Sequence, residues 1–408
     1  MLGVGSKGSE PEFRQEEYES RVGRIQRSLA GSGIAGLLIV DEVNYRYVTG
    51  HYTEAWKNPS RRRGCWITPA GNPVVVVAPG EAGDAQAANP AAMIIEYGGP
   101  SIGPLLVGDD PLLGFEANLA SAIVDTGREI GLGGKPNLAI AMGGWTRLDV
   151  PAGVFATVQE GLGVRSWIDA SPVLWEARMI KSEAEIEYMR RSVKALDDAF
   201  EWTLAEARAG MSELTLARTM RANIIRAGAD HDGYTVAVAD VRRPRSIGAA
   251  PGEHPLERSG LMMIDAGAIV HGYTSDYNRM AVVGKPNDRQ RGAYDLLVQA
   301  FHVGIESAKP GVRVGDVTRA MQRVLDGGRP SPSVMGRMGH GLGLDVPEPP
   351  SFHAAAEAEL MPGMLVCIEP SKHVDGVGTL IAEDVFVVRE TGAECLSTSP
   401  TPPDLLTV

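Results

Sequence analysis

Two carboxylates, Asp265 and Asp276, flank a turn in the run Leu261 to Gly284, LMMIDAGAIVHGYTSDYNRMAVVG. Its Met, Ile, Val and Tyr residues mark two short strands joined at Val270, His271 and Gly272. Folding the hairpin about its centre predicts Asp265 opposite Asp276, with Cβ atoms about 5 Å apart. Two buried carboxylates that close repel each other unless positive charge lies between them, so the pair asks for a cation. Solvated turn aspartates are the ordinary alternative, and this hairpin alone does not separate the two.

A second hairpin does. Leu365 to Val388, LVCIEPSKHVDGVGTLIAEDVFVV, holds two apolar strands around a turn centred on Gly376, which predicts Glu369 opposite Glu383. Each acid follows or adjoins an apolar run, where a strand is buried. Between the hairpins lies Gly339-His340-Gly341-Leu342-Gly343, a His whose glycine neighbours let backbone crowd a site. Four carboxylates and one imidazole form a hard, oxygen-rich donor set. It suits two divalent ions, manganese first and cobalt, iron or zinc after it, better than a Cys-rich structural zinc site.

The elements that must position these residues read as two domains, 1–172 and 173–408, in a chain of 408 residues. The first alternates helix and strand. A helix over Glu16–Gly31 puts Val22, Ile25 and Leu29 on one face. Strands follow at Ala35–Asp41 (of the buried parallel type), Cys65–Thr68, Pro73–Pro79 and Leu138–Met142. No Gly-rich phosphate loop follows any of them, so nucleotide binding is not indicated. In the second domain, Ser182 caps a long helix, Gly210-Met211-Ser212-Glu213 ends it and caps the next, and further helices span 288–308 and 314–325. Two acid-bearing hairpins and two helix pairs hint at an internal duplication.

Composition narrows the function. With 44% hydrophobic residues a sizeable core is available, and a net charge of −12 argues against nucleic acid or an anionic membrane as partner. No window approaches the roughly 18 apolar residues of a membrane span. The polar start MLGVGSKGSEPEF lacks the apolar run of a signal peptide, and Cys65, Cys367 and Cys395 have no paired spacing. A reducing cytoplasm is the expected compartment.

The order DAG(x)₈D, GHGLG, IEP and AED resembles the creatinase/prolidase/aminopeptidase P family, which shares the pita-bread catalytic fold. The segment Arg178-Met179-Ile180-Lys181-Ser182-Glu183 is similar to the one that opens that family's catalytic domain, and the resemblance runs from about residue 15 onwards. It implies a two-domain α/β protein: an N-terminal creatinase-like α/β domain and a C-terminal α+β pita-bread catalytic domain, paired as a homodimer. Asp265 would hold one metal, His340 and Glu369 the other, and Asp276 and Glu383 would bridge them. Glu369 would also move the proton of the attacking water. The implied enzyme is a metal-dependent hydrolase of the Xaa-Pro dipeptidase or aminopeptidase kind.

The chain departs from the family's pattern around this cage. The family's second His, seven residues after the ligand His, is Pro347, and its Arg two residues before the last ligand is Ile381. A further His before the first Asp ligand is replaced by Gly248, with His254 able to serve across a shorter loop. His231 precedes a strand and can line the pocket, though an ordinary turn residue reads equally well. Glu348 can replace the function lost at Pro347, or cap the loop. The resemblance also lets the N-terminal domain of one subunit border its partner's active site, which would give His51, Tyr52 and Arg61 a substrate role; a solvated charge run over Arg61–Arg63 is the plainer reading. The altered shell points away from a standard proline peptide and leaves three readings. These are a hydrolase of a dipeptide or small amide, a lyase resembling the dimethylsulfoniopropionate lyases, and a non-catalytic binding relative, which the intact cage disfavours.

Overall fold

The computed structural model describes residues 12–58, 61–98, 111–243, 248–327 and 336–408, with no side chains given over 111–117. The chain divides into two compact units, Met1–Ala177 and Arg178–Val408.

The first unit is built on a six-stranded sheet of β1 (Gly36–Ile39), β2 (Gly64–Ile67), β3 (Val74–Val77), β4 (Met93–Glu96), β5 (Asn137–Ile140) and β6 (Ser166–Asp169), in the order β4-β3-β2-β1-β5-β6. The predicted purely parallel setting of the first strand is corrected. β1 pairs parallel with β5 but antiparallel with β2, because β2 and β3 form a hairpin inserted into the sheet. Leu38, Trp66, Val76 and Ile140 fill the core, and the Trp66 indole donates to the Ile123 carbonyl at 3.1 Å. Helix Gln15–Ala30 buries Val22, Ile25 and Leu29, the face its spacing predicts.

The basic run does not behave as a solvated stretch. Arg63 is 1% exposed and pairs with Glu81 through two side-chain hydrogen bonds, while Arg62 pairs with Asp149. Three arginines in sequence look like surface, but alternation in the approach to β2 turns the third inward. A buried cation of this kind is tolerable only with its counter-ion in place.

The second unit holds two five-stranded sheets and a two-stranded extension. The first sheet comprises β7 (His231–Val238), β8 (Leu261–Val270), β9 (Tyr273–Thr274), β10 (Tyr277–Val282) and the terminal β18 (Leu406–Thr407). The second has the order β12-β11-β13-β16-β17, from β11 (Gly339–Gly341), β12 (Glu348–Ser351), β13 (Leu365–Ile368), β16 (Asp384–Arg389) and β17 (Gly392–Cys395). β14 (Ser371–Val374) and β15 (Gly378–Ile381) prolong the β13–β16 hairpin.

Helices Glu183–Glu206 and Glu213–Arg226 back the first sheet; Asp288–Ser307 packs on the second, with Val314–Asp326 packed against that helix. Ser182 and Asn287 open the first and third of these with complete capping boxes. Side chains fasten the layers. Ser192 donates to the Ala268 carbonyl at 2.7 Å and accepts from the Ser275 amide at 3.0 Å, and Asp197 accepts from the Tyr277 hydroxyl at 2.6 Å. Both contacts hold the strand just either side of Asp276.

Arg63→Ala would remove both hydrogen bonds to Glu81 and leave this buried carboxylate with the longer Arg61 contact at 3.7 Å. We expect a loss of about 3–5 kcal/mol, read as a lower urea midpoint for that unit's unfolding transition.

Candidate metal centre

The first hairpin brings Asp265 and Asp276 together, but not in the predicted register. Asp265 pairs with Asn278 and Ala266 with Tyr277, which puts Asp276 level with Gly267. The turn is two residues long, with both His271 (φ 50°) and Gly272 (φ 81°) in the left-handed region, as a tight hairpin turn requires. The slip is two residues, so it leaves side chains on their original face. Asp276 and Asp265 therefore remain diagonal neighbours. Tyr234 of β7 spans the gap, donating to Asp265 Oδ1 at 2.8 Å and also approaching Asp276 Oδ1 within hydrogen-bond range.

The second hairpin keeps one register throughout, from Ile368 opposite Asp384 to Ser371 opposite Ile381, which sets Glu369 opposite Glu383. Strand alternation then sends Glu383 and Asp384 to opposite faces. Asp384 turns away to a buried pair with Arg279 at 2.7 Å, and Arg279 also donates to the Glu383 carbonyl at 3.1 Å. Glu383 is thereby held from behind, while Asn278 donates to its Oε2 at 3.3 Å.

β11 delivers His340 between the hairpins, paired with Cys367 on one side and Ser351 on the other. A side chain at Gly339 (φ 141°) would collide with the Cys367 carbonyl, and one at Gly341 with that of Pro349. His340 Nδ1 lies 2.9 Å from the Gly341 carbonyl. A carbonyl only accepts, so Nδ1 carries the proton and Nε2 is the atom turned toward the acids. Nε2 is 3.2 Å from Asp276 Oδ2 and 3.8 Å from Glu383 Oε1.

All five residues are buried, none more than 8% exposed. Burial drives the Asp265 carboxyl well above its ordinary range, with Asp276 and Glu369 adding to the effect. Glu369 and Glu383 are also raised, by burial first; Asp276 adds to both, while His340 works against the rise at Glu369. His340 is pushed down by burial, but the Asp276 and Glu369 charges outweigh that and raise it. Every shift has the sign expected of a cluster short of positive charge.

Two further observations fit a cation. Glu369 Oε2 is buried without a hydrogen-bond partner, with Arg337 Nε 3.9 Å away. Ligand atoms of Asp276, His340, Glu383 and Cys367 all lie within 4.8 Å of one another. Oxygen donors with one imidazole suit a first-row divalent ion.

Other expected site residues lie elsewhere. Glu348, expected to touch substrate, is 1% exposed with both carboxylate oxygens engaged, one by Arg178 and the other by Lys181 at 2.8 Å. It also accepts from the Asp345 amide, so it ties down the loop that follows His340. His231 pairs with Ile269 near the hairpin turn, five residues along β7 from the partner of Asp265, roughly 15 Å at strand spacing. His254 is exposed on a loop, its carbonyl accepting from the Glu213 amide. His51 is a buried residue of the first unit, sharing a 2.8 Å hydrogen bond with the Tyr45 hydroxyl. Arg61 donates to the Pro79 carbonyl, and Tyr52 is 39% exposed beside Glu54. Sequence reasoning missed Tyr234 and Cys367. Cys367 was legible, standing two residues before Glu369 and so on the same face of its strand.

The sequence profile of metallopeptidase family M24 matches residues 187–390, and that of the creatinase/prolidase N-terminal domain residues 21–180. The chain belongs to metallopeptidase family M24. It is 26% identical over 381 residues to a putative dipeptidase of Bacillus subtilis, spanning 93% of this chain and 98% of that one. It is also 26% identical over 248 residues to an Xaa-Pro dipeptidase of Pyrococcus horikoshii, covering 61% of this chain and 71% of that one. Among solved structures, an Xaa-Pro dipeptidase from Bacillus anthracis superposes with a TM-score of 0.80 at 20% identity, covering 96% and 100% of the two chains. A dipeptidase from Pyrococcus horikoshii gives 0.78 at 23%, covering 95% and 100%. The fold is the expected one, a creatinase-like N-terminal domain and a pita-bread catalytic domain, and the protein is an enzyme of the metallopeptidase class.

The buried Glu348 makes stability depend on pH. Burial would raise its carboxyl, but Arg178 and Lys181 outweigh that and hold it at about 2, against an ordinary 4.5. A depressed folded value contributes stability above the unfolded value and loses it as pH falls toward the folded one. We expect about 3 kcal/mol to disappear between pH 4.5 and pH 2, measured by urea unfolding. In Glu348→Gln the share that comes from this residue would already be lost at neutral pH.

Proposed function

We propose that this enzyme is a two-metal hydrolase that cleaves the C–N bond of a dipeptide or small amide, with Xaa-Pro dipeptides the first substrates to test. The observation that carries the proposal is the clustering of four buried carboxylates, Asp265, Asp276, Glu369 and Glu383, with His340, whose Nε2 lies nearest Asp276 and Glu383. Asp265, Asp276, His340, Glu369 and Glu383 would hold the ions. When bound, the ions supply the positive charge that lowers the pKa of water and polarises a carbonyl.

The chain's own groups do the rest. Glu369, with one oxygen free of hydrogen bonds, takes the proton of the attacking water and returns it to the leaving nitrogen. Tyr234 fixes the angle between Asp265 and Asp276, and the Gly341 carbonyl fixes the tautomer of His340. The walls exclude water around the developing charge.

A small amide other than a proline peptide is the second reading. Ile381 is 1% exposed and apolar where the resemblance expects Arg, and Pro347 has no proton to give. A cytoplasmic homodimer using manganese completes the proposal, and ultracentrifugation with metal analysis addresses its last two parts.

Purified protein should carry about two divalent ions per chain and release proline from Xaa-Pro dipeptides in a chelator-sensitive way. Asp276→Ala should lower both metal content and rate by more than about a hundredfold, the upper end for loss of a mere outer partner. Unchanged values for both would sink the proposal. Full metal content with no proline release would favour the small-amide reading. Tyr234→Phe should weaken metal binding about 10–100-fold, read by competition with a chelating dye.

A further inference from the structure

Cys367 occupies a position at the metal centre that neither the implied cage nor the proposed mechanism uses. It lies at the middle of β13, directly across from His340 in the ladder, and two residues before Glu369. Period-two alternation puts its side chain on the face that carries Glu369. The residue is fully buried.

Its sulfur lies with three other ligand-type atoms, from Asp276, His340 and Glu383, each within 4.8 Å of every other. The thiol donates to the Asp276 main-chain carbonyl at 3.2 Å, a weak bond that costs little to exchange. Buried cysteines are often only small apolar side chains. Cys65 is such a case: its sulfur meets only the Trp66 carbonyl, at 3.8 Å, among the contacts described. Cys367 is not among apolar groups. It faces acids and an imidazole.

We infer that Cys367 is a sulfur donor to the metal ion held by Asp276, His340 and Glu383. This deepens the two-metal reading and rests on it. The centre then has a mixed oxygen, nitrogen and sulfur donor set. As the ion binds, the S–H bond breaks, the proton leaves to solvent, and the sulfur lone pair forms the bond to the metal. Thiolate is a soft donor, so on this inference zinc or cobalt takes the place of the manganese named in the two-metal reading.

The decisive measurement uses the wild-type, metal-loaded enzyme and needs no variant. Zinc-edge X-ray absorption should show a sulfur shell at about 2.3 Å beside the oxygen and nitrogen shell at about 2.0–2.1 Å. The cobalt-loaded protein should show a sulfur-to-cobalt charge-transfer band in the near ultraviolet. That band should vanish in Cys367→Ser at equal cobalt content and persist in the Cys65→Ser/Cys395→Ser protein. In competition, wild type should prefer zinc over manganese at least about tenfold more than Cys367→Ser does, in the sense expected of a soft ligand. Two bound ions with no sulfur shell would overturn this inference and leave the two-metal reading standing. Failure to bind any divalent ion would sink both.

Discussion

Mutual repulsion among four carboxylates is the constraint around which the second unit is arranged. Asp265, Asp276, Glu369 and Glu383 share one small buried volume, and each raises the free energy of ionising its neighbours. A chain selected only for stability would not keep such a cluster, since apolar side chains of similar size would fold at lower cost. The fold tolerates it because the backbone that carries Asp276 and Glu383 is fastened from behind by buried side chains. Ser192 and Asp197 on helix Glu183–Glu206 hold the strand either side of Asp276. Arg279 and its counter-ion Asp384 hold the backbone of Glu383. The stored repulsion is released only when positive charge arrives, so the same term that weakens the fold strengthens the affinity for a cation.

Rigidity around the centre is uneven, and the pattern follows function. Asp265 lies inside β8, paired on both sides by β7 and β10, while Asp276, Glu369 and Glu383 stand at strand ends beside those ladders. His340 arrives on a three-residue strand whose exit loop would be loose without the buried Arg178, Lys181 and Glu348 cluster. Asp345, which pairs with Arg178 at 3.0 Å, supplies the second negative charge that balances the two cations. The worth of the cluster lies in geometry: an imidazole tilted by a few degrees no longer presents Nε2 to the acids beside it.

How much could be read from sequence depended on the turns. The second hairpin pivots on Gly376, and its one constant register makes Glu369 and Glu383 legible as partners by counting outward. The first has a two-residue turn in which a histidine takes a positive φ, a conformation that its side chain does not advertise, and counting outward missed by two. An even error preserves the face, so the acid cluster was legible although its register was not. The buried ion pairs were opaque for a different reason. Arg63, Arg178 and Glu348 are of types seldom fully buried, and only three-dimensional pairing explains their burial. Tyr234 gave no signal either, since one tyrosine in a strand reads as ordinary core.

Cage and substrate shell are separable, and they record different pressures. The proposed ligands stand on paired strands or at their ends, where a one-residue slip of the ladder would turn the acids to the wrong face. The residues that depart from the family's pattern, Pro347 and Ile381, stand on the loop after β11 and at the end of β15, where substitution leaves the ladders intact. Substrate choice can therefore change without loss of the metal centre. Cys367 is the exception, because it lies inside the ladder itself, opposite His340. A change there alters the donor set and leaves the peptide-handling walls alone, so it tunes which ion is held and hence how strongly a bound carbonyl is polarised. On the proposed reading, the walls at Pro347 and Ile381 and the sulfur of Cys367 act on the same step of the reaction.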